Sequence, residues 1–517
     1  MRWLWRLLLV VSLMEGGCHS SPDSNDDRDT TMSDPRNDDQ SSDLTRLDMK
    51  KLRPRVEAFC GDCHAMPAPS TFPRAAWHAE VQQGYDFYYA SARTDLKPPP
   101  MHDVVAYYRA LAPERLEQPV IETASESPIS FTSQSIVAPN QQDAICVSGL
   151  AWEPARPDTP ASLWLCDMGS GVVARVEFDG RNPKVTNVAK VQNPASVTLT
   201  DFDRDGSQDL LIADLGSFNP EDHQNGRVHW LRQPFQQNSQ PVLLGNEFAR
   251  VADVQTADFD QDGDEDVLVA EFGWRKTGRI LLLKNEGFEN RLPRLTQQVL
   301  DPRHGTIHVE IADLDDDGDL DFVALISQEH EVVEAFLNRG DGTFETHRIF
   351  EANDPSYGSS GIELVDLDHD ADLDLLYTNG DTLDSFYLKP THAIHWLENT
   401  GNLQFEDHIL THVPGVYRAV SQDLDGDNDL DIVAVTNWPN NLIDRDRQAV
   451  SDRVLWLEQT SPGKFLRHTI STDKNTGHYT VAVGDFDADG KPDLAVGNAA
   501  VNPKTSPEWI SIWWNEG

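Results

Sequence analysis

Between residues 201 and 500 the chain repeats one pattern six times: a short apolar run, an acidic nonapeptide, then a second apolar run. The acidic stretches pass straight into "LLIADLG", "VLVAEFG", "FVALIS", "LLYTNG", "IVAVTN" and "LAVGNA", and runs such as "VEIA" and "VAVG" precede them. Apolar runs of this length bounded by turn residues predict buried β-strands, so each acidic stretch joins two strands as a hairpin. Several units close on a further strand that begins with phenylalanine: "FETHRI" at Phe344, "FEDHIL" at Phe405 and "FLRHTI" at Phe465. The C-terminal "WISIWWNEG" has no such strand after it, but "FTSQSI" at Phe131 has the same pattern ahead of the first unit. The N-terminal strand is therefore expected to complete the last unit and leave no unpaired sheet edge.

The acidic stretches begin at Asp201, Asp258, Asp313, Asp366, Asp423 and Asp485, spaced 57, 55, 53, 57 and 62 residues apart, which marks a repeat architecture. Aspartates recur at the first, third, fifth and ninth positions. They are Asp201, Asp203, Asp205 and Asp209; Asp258, Asp260, Asp262 and Asp266; Asp313, Asp315, Asp317 and Asp321; Asp366, Asp368, Asp370 and Asp374; Asp423, Asp425, Asp427 and Asp431; Asp485, Asp487, Asp489 and Asp493. A tight turn at the sixth position would bring these carboxylates to one point, and hard oxygen donors suit Ca²⁺, with up to six ions expected. Ala371 and Asn428 replace the turn glycine in the fourth and fifth loops, and alanine is the poorer fit to a left-handed turn.

These loops resemble the FG-GAP/VCBS repeats of integrin-α-like β-propellers, in which each repeat is one four-stranded blade. The resemblance covers roughly residues 128–517 and implies a mainly β fold. A degenerate seventh blade is legible where "LWLCDMG" at Leu163 lines up with "LLIADLG" at Leu210, its acidic loop replaced by "EPARPDTPAS". The expectation is a seven-bladed propeller.

The preceding 127 residues differ in kind. "MRWLWRLLLVVSLMEGGC" is a basic start, a short apolar run and a small-residue end, the form of an export signal and too short for a mature membrane span. Gly16-Gly17-Cys18 resembles a bacterial lipoprotein cleavage box with Cys18 as the lipidated residue. Glu15 departs from that box, and plain secretion is the alternative. Residues 19–45 are Ser/Asp/Pro-rich and read as a flexible tether. The expected organisation is a signal at 1–18, the tether at 19–45, a small all-α domain at 46–118, a linker at 119–127 and the propeller at 128–517. The expected location is the periplasm or cell surface, with a lipid anchor holding the protein to a membrane if Cys18 is modified.

"CGDCH" at Cys60 decides the nature of the small domain. A thioredoxin-like redox pair needs a preceding strand and a βαβ frame, and a zinc ribbon needs a second close ligand pair. Neither is present. C-x-x-C-H is the attachment signature of c-type haem, with Cys60 and Cys63 as thioether positions and His64 as proximal ligand. "RPRVEAFCGDCH" predicts a helix from near Pro54, and "MHDVVAYYRALAPERL" a second with Val104, Val105, Tyr108 and Leu111 on one face. Residues 46–118 thus resemble a small class I cytochrome c. That resemblance favours Met101 as sixth ligand, with His78, His102 or a vacant position as alternatives.

Cys146 and Cys166 fall on neighbouring strands of the loop-free blade, either as a disulfide or as buried thiols. At the strand ends away from the acidic loops, Asp214, Glu271, Asn379, Asn498 and Asp167 recur, with Ser196, Asp253, His308, Arg418 and Thr480 on the strands before the loops. Asp214, Glu271, His308, Arg418 and His478 are the candidates for a ligand-binding mouth. His308, Tyr417, Arg418, His478 and Tyr479 would be the acid–base and cationic groups of a polysaccharide lyase. No nucleophile–base pair stands out, and no catalytic residue is assigned.

The 86 acidic and 42 basic side chains of the 517 residues give a net charge of −44, which excludes nucleic acid as a partner. The leading functional reading is an exported haem c protein. In it the cytochrome domain transfers electrons and the calcium-stabilised propeller binds a redox partner protein, a glycan or a substrate. The alternatives are a propeller-based enzyme, either a lyase or a haem-coupled oxidoreductase, and an adhesion or scaffold module with a vestigial cytochrome.

Overall fold

The computed structural model describes residues 48–119, 124–138, 144–156, 159–235, 240–383, 385–438, 452–472, 477–500 and 508–517. The signal, Cys18 and the tether at 19–45 lie outside the described residues. Among the described residues no helix is long and apolar enough to cross a membrane.

Three helices come first: α1 (Met49–Cys60), α2 (Trp77–Ala90) and α3 (Met101–Leu111). α1 begins five residues earlier than the sequence suggests, with Pro54 inside it. A proline there removes one N–H to the carbonyl a turn earlier, and the other helical bonds are left to hold the segment. α2 is not foreseen in the sequence. It buries Trp77, Val81 and Tyr85, spaced four residues apart on one face. α3 buries Val104, Val105, Tyr107 and Tyr108, whereas Leu111 is 51% exposed and lies off the expected face. The Trp77 indole stacks on Tyr108 at 3.9 Å and donates to the carbonyls of Pro69 and Phe72, tying α2 to α3.

Among the described residues after 130, every regular element is a β-strand. β1 (Phe131–Val137) precedes the repeats. β2 (Ile145–Glu153), β3 (Ser162–Asp167), β4 (Val172–Asp179) and β5 (Asn182–Lys190) pair in order. The next sheet is β6 (Pro194–Thr200), β7 (Asp209–Asp214), β8 (Gly226–Leu231) and β9 (Val242–Phe248). β10 (Val251–Ala257), β11 (Asp266–Glu271), β12 (Arg279–Glu289) and β13 (Leu292–Asp301) follow, then β14 (Thr306–Ala312), β15 (Asp321–Ile326), β16 (Val332–Asn338) and β17 (Phe344–Glu351). Two more sheets are β18 (Gly361–Val365), β19 (Asp374–Thr378), β20 (Ala393–Asn399) and β21 (Phe405–His412), and β22 (Val416–Gln422), β23 (Asp431–Thr436), β24 (Val454–Ser461) and β25 (Lys464–Ser471). Last come β26 (Gly477–Gly484), β27 (Asp493–Ala500) and β28 (Glu508–Asn515).

β1 pairs antiparallel with β28, Phe131 opposite Asn515 and Ile136 opposite Ile510, so the N-terminal strand does complete the last sheet. The first and last sheets are not separate. Ile145 and Cys146 of β2 pair with Ala500 and Ala499 of β27 and fuse them into one eight-stranded sheet. The first strands touch in the cyclic order β2, β6, β10, β14, β18, β22, β26 and back to β2. The result is a propeller-like ring of antiparallel sheets.

The second strand of each repeat unit carries the core. Every residue of β3, β7, β11, β15, β19 and β23 is buried, because each is covered on both faces by adjoining sheets. That double burial is why these strands read as unbroken apolar runs. Leu210, Leu211 and Ile212 are fully buried, each burial contributing about 1.5–3 kcal/mol.

Chain direction puts the acidic loops at one end of the ring, since each joins a first strand to a second. The joints from second to third strand, and from one sheet to the next, lie at the other end. The helices pack against that other end. Thr71 donates to Asp354, Phe72 meets the Tyr387 ring at 6.0 Å, Gln118 donates to the Leu388 carbonyl, and Arg275 lies 4.3 Å over the Phe87 ring.

Candidate functional site

The six acidic loops share one hydrogen-bond scheme. The first aspartate accepts backbone N–H groups from further along its own loop: Asp205 and Gly206 onto Asp201, Asp262 and Gly263 onto Asp258, Asp489 and Gly490 onto Asp485, all at 2.9–3.0 Å. The fifth accepts the N–H of the seventh residue, as Asp205 does from Ser207 at 2.9 Å. The ninth is buried and ties the loop to the third strand. Asp266 accepts from Phe259 at 3.3 Å and Asn285 at 2.8 Å, and Asp493 from Phe486 at 3.0 Å and Asn515 at 2.9 Å. Asp209, Asp321, Asp374 and Asp431 are held to their third strands in the same way.

The third aspartate is left with spare oxygens. Oδ1 of Asp203 and of Asp260 is buried without a hydrogen-bond partner among the described residues, as is Oδ1 of Asp313 at a first position. In four of the loops three of the donors converge. Asp201, Asp203 and Asp205 form such a group, as do Asp258, Asp260 and Asp262; Asp313, Asp315 and Asp321; and Asp366, Asp368 and Asp374, each with ligand atoms within 4.8 Å of one another. Buried, unpartnered carboxylate oxygens aimed at a common point fit a hard divalent cation.

The turn survives at both glycine-free positions. Ala371 has φ 78° and Asn428 φ 74°, beside 85–100° for the glycines, and both still donate N–H to the first aspartate. The loops differ in charge. Arg232 and Arg181 pair with the third aspartates Asp203 and Asp487, and the Lys284 ammonium lies 2.5 Å from Asp260. In the fourth and fifth loops the equivalent third-strand residue is acidic: Glu398 and Glu458 add repulsion to the burial that raises Asp368 and Asp425.

In the helical segment Cys60 and Cys63 are free thiols at and just past the end of α1. Burial pushes the Cys60 thiol above its usual range. Arg93 donates to the Cys63 sulfur at 3.1 Å and pairs with Asp62 at 2.6 Å, fixing the loop between the cysteines. The His64 Nδ1 lies 2.7 Å from the Ala65 carbonyl. A carbonyl only accepts, so Nδ1 carries the proton and Nε2 keeps a free lone pair. Met101 opens α3 on the lip of a cleft of about 560 Å³, lined also by Arg55, Tyr85, Tyr89 and Pro99. Tyr85 packs on Phe59, the neighbour of Cys60, at 4.9 Å. His102 is far more exposed, with 82% of its side chain in solvent.

The expected mouth of the ring divides into two groups. Asp214 and Glu271 are buried and structural. Asp214 accepts the N–H groups of Gln192, Asn193 and Gly216, while Glu271 pairs with Arg279. Asp167 does the same for Cys146 and Gly169. These acids stand at the strand ends where the sequence reading puts them, with their carboxylates engaged in turn N–H groups or in the Arg279 pair. His478, Asn379 and Asn498 are buried as well. His308 and Arg418 do meet, at 3.0 Å, where Arg418 also approaches Glu310 at 4.0 Å. They stand on the first strands β14 and β22 of two different sheets, and both are half-buried. Burial raises Glu310 to about 7 and Asp253 to about 6, and pushes His308 well below its usual value. Cys146 and Cys166 are buried free thiols, so the two-way choice resolves against a disulfide.

Comparison with known proteins agrees with the repeats. A family model described as an FG-GAP-like repeat matches residues 201–269, 258–324, 313–377 and 423–496, spans that take in all six acidic loops. The chain therefore contains FG-GAP-like repeats. Among solved structures, it is similar to a catalytically inactive virginiamycin B lyase from Staphylococcus aureus with quinupristin, at 11% identity and a TM-score of 0.45, covering 74% of this chain and 99% of that one. No curated protein matches significantly.

Proposed function

We propose that the chain is an exported electron-transfer protein whose c-type haem domain, residues 46–118, is fixed to a calcium-loaded, seven-bladed propeller. Cys60 and Cys63 would hold the haem through thioethers and His64 would ligate its iron, with Met101 favoured as a further iron ligand ahead of His78 and His102. Bound there, the haem supplies a one-electron couple. The observation that carries the reading is the His64 tautomer beside two unpaired thiols: the ring is oriented by a backbone carbonyl with Nε2 left to bind, the usual arrangement of a metal-ligating histidine. Phe59, Tyr85 and Tyr88 supply an apolar aromatic wall next to Cys60. The propeller would dock a redox partner or a glycan, and the leader pattern supports export with anchoring at Cys18.

The test is expression of the full chain with haem-ligation machinery, followed by reduced-minus-oxidised visible spectra. The expected result is a covalently bound haem spectrum, lost in Cys60→Ala/Cys63→Ala and altered in Met101→Ala. A colourless wild-type protein under these conditions rejects the proposal. A second reading, an enzyme acting in the channel, is favoured by the neutral His308 held against Arg418. Polyuronate incubated with the protein and calcium would then gain the ultraviolet absorbance of unsaturated products, and His308→Ala would lose it.

A further inference from the structure

A second set of metal-binding side chains lies at the end of the ring opposite the acidic loops. His304 sits in the joint between β13 and β14, and Glu329 and His330 in the turn between β15 and β16. One ligand atom from each falls within 4.8 Å of the others. The His304 Nε2 lies 2.9 Å from a Glu329 carboxylate oxygen, and the two imidazoles meet at 5.3 Å between ring centres. His330 Nε2 is buried and has no hydrogen-bond partner among the described residues, although it lies beside a carboxylate already engaged with His304. Two interacting side chains account for two of these groups and leave the third unexplained. A cation at the common point accounts for all three.

The backbone holds the group in place. The Gly305 N–H donates to the Phe272 carbonyl at 2.8 Å, and the Ser327 N–H to the Gly305 carbonyl at 2.9 Å, locking the two turns to each other and to the neighbouring sheet. Glu331, directly after His330, accepts the N–H groups of Gly358 and Ser359 from the next sheet. Gly278 has φ 131°, and a Cβ there would stand 2.6 Å from the His304 Cβ, so only glycine leaves His304 its position. Such a group, anchored on three sheets, is built before any ion arrives.

Two imidazoles and one carboxylate are borderline donors. They suit zinc and its first-row neighbours rather than calcium, which takes six or more oxygens. Three protein donors also leave a coordination position free, as in catalytic rather than structural zinc sites. All three residues keep partial solvent exposure, so that position is reachable. We propose that His304, Glu329 and His330 bind one divalent transition-metal ion of the zinc class, with a fourth position open to water or a small anion. The site lies one turn from the helical segment: the β11–β12 joint that sets the Phe272 carbonyl against Gly305 and Gly278 against His304 also lays Arg275 over Phe87 of α2.

Calorimetric titration of the full chain with zinc chloride, in millimolar calcium to keep the acidic loops out of play, tests this. One zinc site is expected. His304→Ala/His330→Ala should weaken it by on the order of 100-fold or more, and Glu329→Gln by on the order of 10-fold or more. Unchanged zinc binding in the double variant overturns the proposal. X-ray absorption at the zinc edge of the wild type provides a readout that does not depend on variant folding. Nitrogen and oxygen neighbours at about 2.0–2.1 Å with imidazole scattering are expected, and a sulfur shell at about 2.3 Å would overturn the proposal by placing the ion on Cys60 and Cys63.

Discussion

Asp253 joins three sheets, and replacing it should give a pH-dependent loss of stability. Its carboxylate on β10 accepts from Val254 at 2.9 Å, from the Ser196 hydroxyl of the preceding sheet at 3.0 Å and from the Val309 N–H of the following sheet at 3.2 Å. The residue is 7% exposed. Asp253→Ala leaves two buried N–H groups without an acceptor, at about 1–3 kcal/mol each, or about 2–6 kcal/mol together. Against this runs the cost of the buried charge. Burial raises the carboxyl from 3.8 to about 6, so the stability it contributes is full below its unfolded value and is lost as pH rises through about 6. That loss is about 3 kcal/mol in full, of which roughly 1–2 kcal/mol falls between about pH 5 and pH 8. Urea unfolding followed by tryptophan fluorescence, in saturating calcium at steps across that range, should show the wild-type advantage over Asp253→Ala shrinking as pH rises. Asp253→Asn keeps one acceptor and should give a smaller loss, narrowing with pH by the same amount. A difference that stays flat, or widens toward alkaline pH, would refute the assignment of burial as the dominant influence and favour Arg418 as stabiliser of the charge.

Chelation should lower the melting temperature and calcium should restore it, each site adding about 2.7 kcal/mol at a hundredfold excess over its dissociation constant. An unchanged melt after thorough chelation counts against the loops as metal sites. Among them, the loop at Asp258 should bind more weakly than those at Asp366 and Asp423. Lys284→Glu, which imitates Glu398 and Glu458, should tighten it in a calcium titration. Ala371→Gly should stabilise the fourth unit by about 1 kcal/mol, because Ala371 is held at φ 78°, and comparative urea unfolding would reveal it.

The sequence showed those parts of the molecule that depend on local periodicity. The paired strands, the loop spacing and the marriage of β1 to β28 all follow from patterns within a dozen residues and from a missing strand at the C-terminus. α2 escaped notice because Trp77, Val81 and Tyr85 are its only buried residues and polar side chains fill the spaces between them. The engagement of the strand-end acids was illegible for a different reason. Asp214 looks like a ligand when read as a carboxylate at a channel mouth, but turn geometry aims backbone N–H groups at it, and a sequence does not display those. His304 and His330 were invisible as a pair because they stand on separate turns that only the joining of the strands brings together. The first, third and fifth aspartates were legible as a cluster. The ninth was legible as a member but not as a brace, since its role is set by the third strand of the same unit.

The pairing of Phe131 with Asn515 spans 384 positions of chain. The final hydrogen-bonded zipper of the ring can therefore form only after β28 has been synthesised, and the sheets formed earlier keep an open flank until then. Closing so long a loop is entropically slow. A product cut short before β28 would leave the edges of β1 and β27 unpaired, and unpaired strand edges are templates for aggregation.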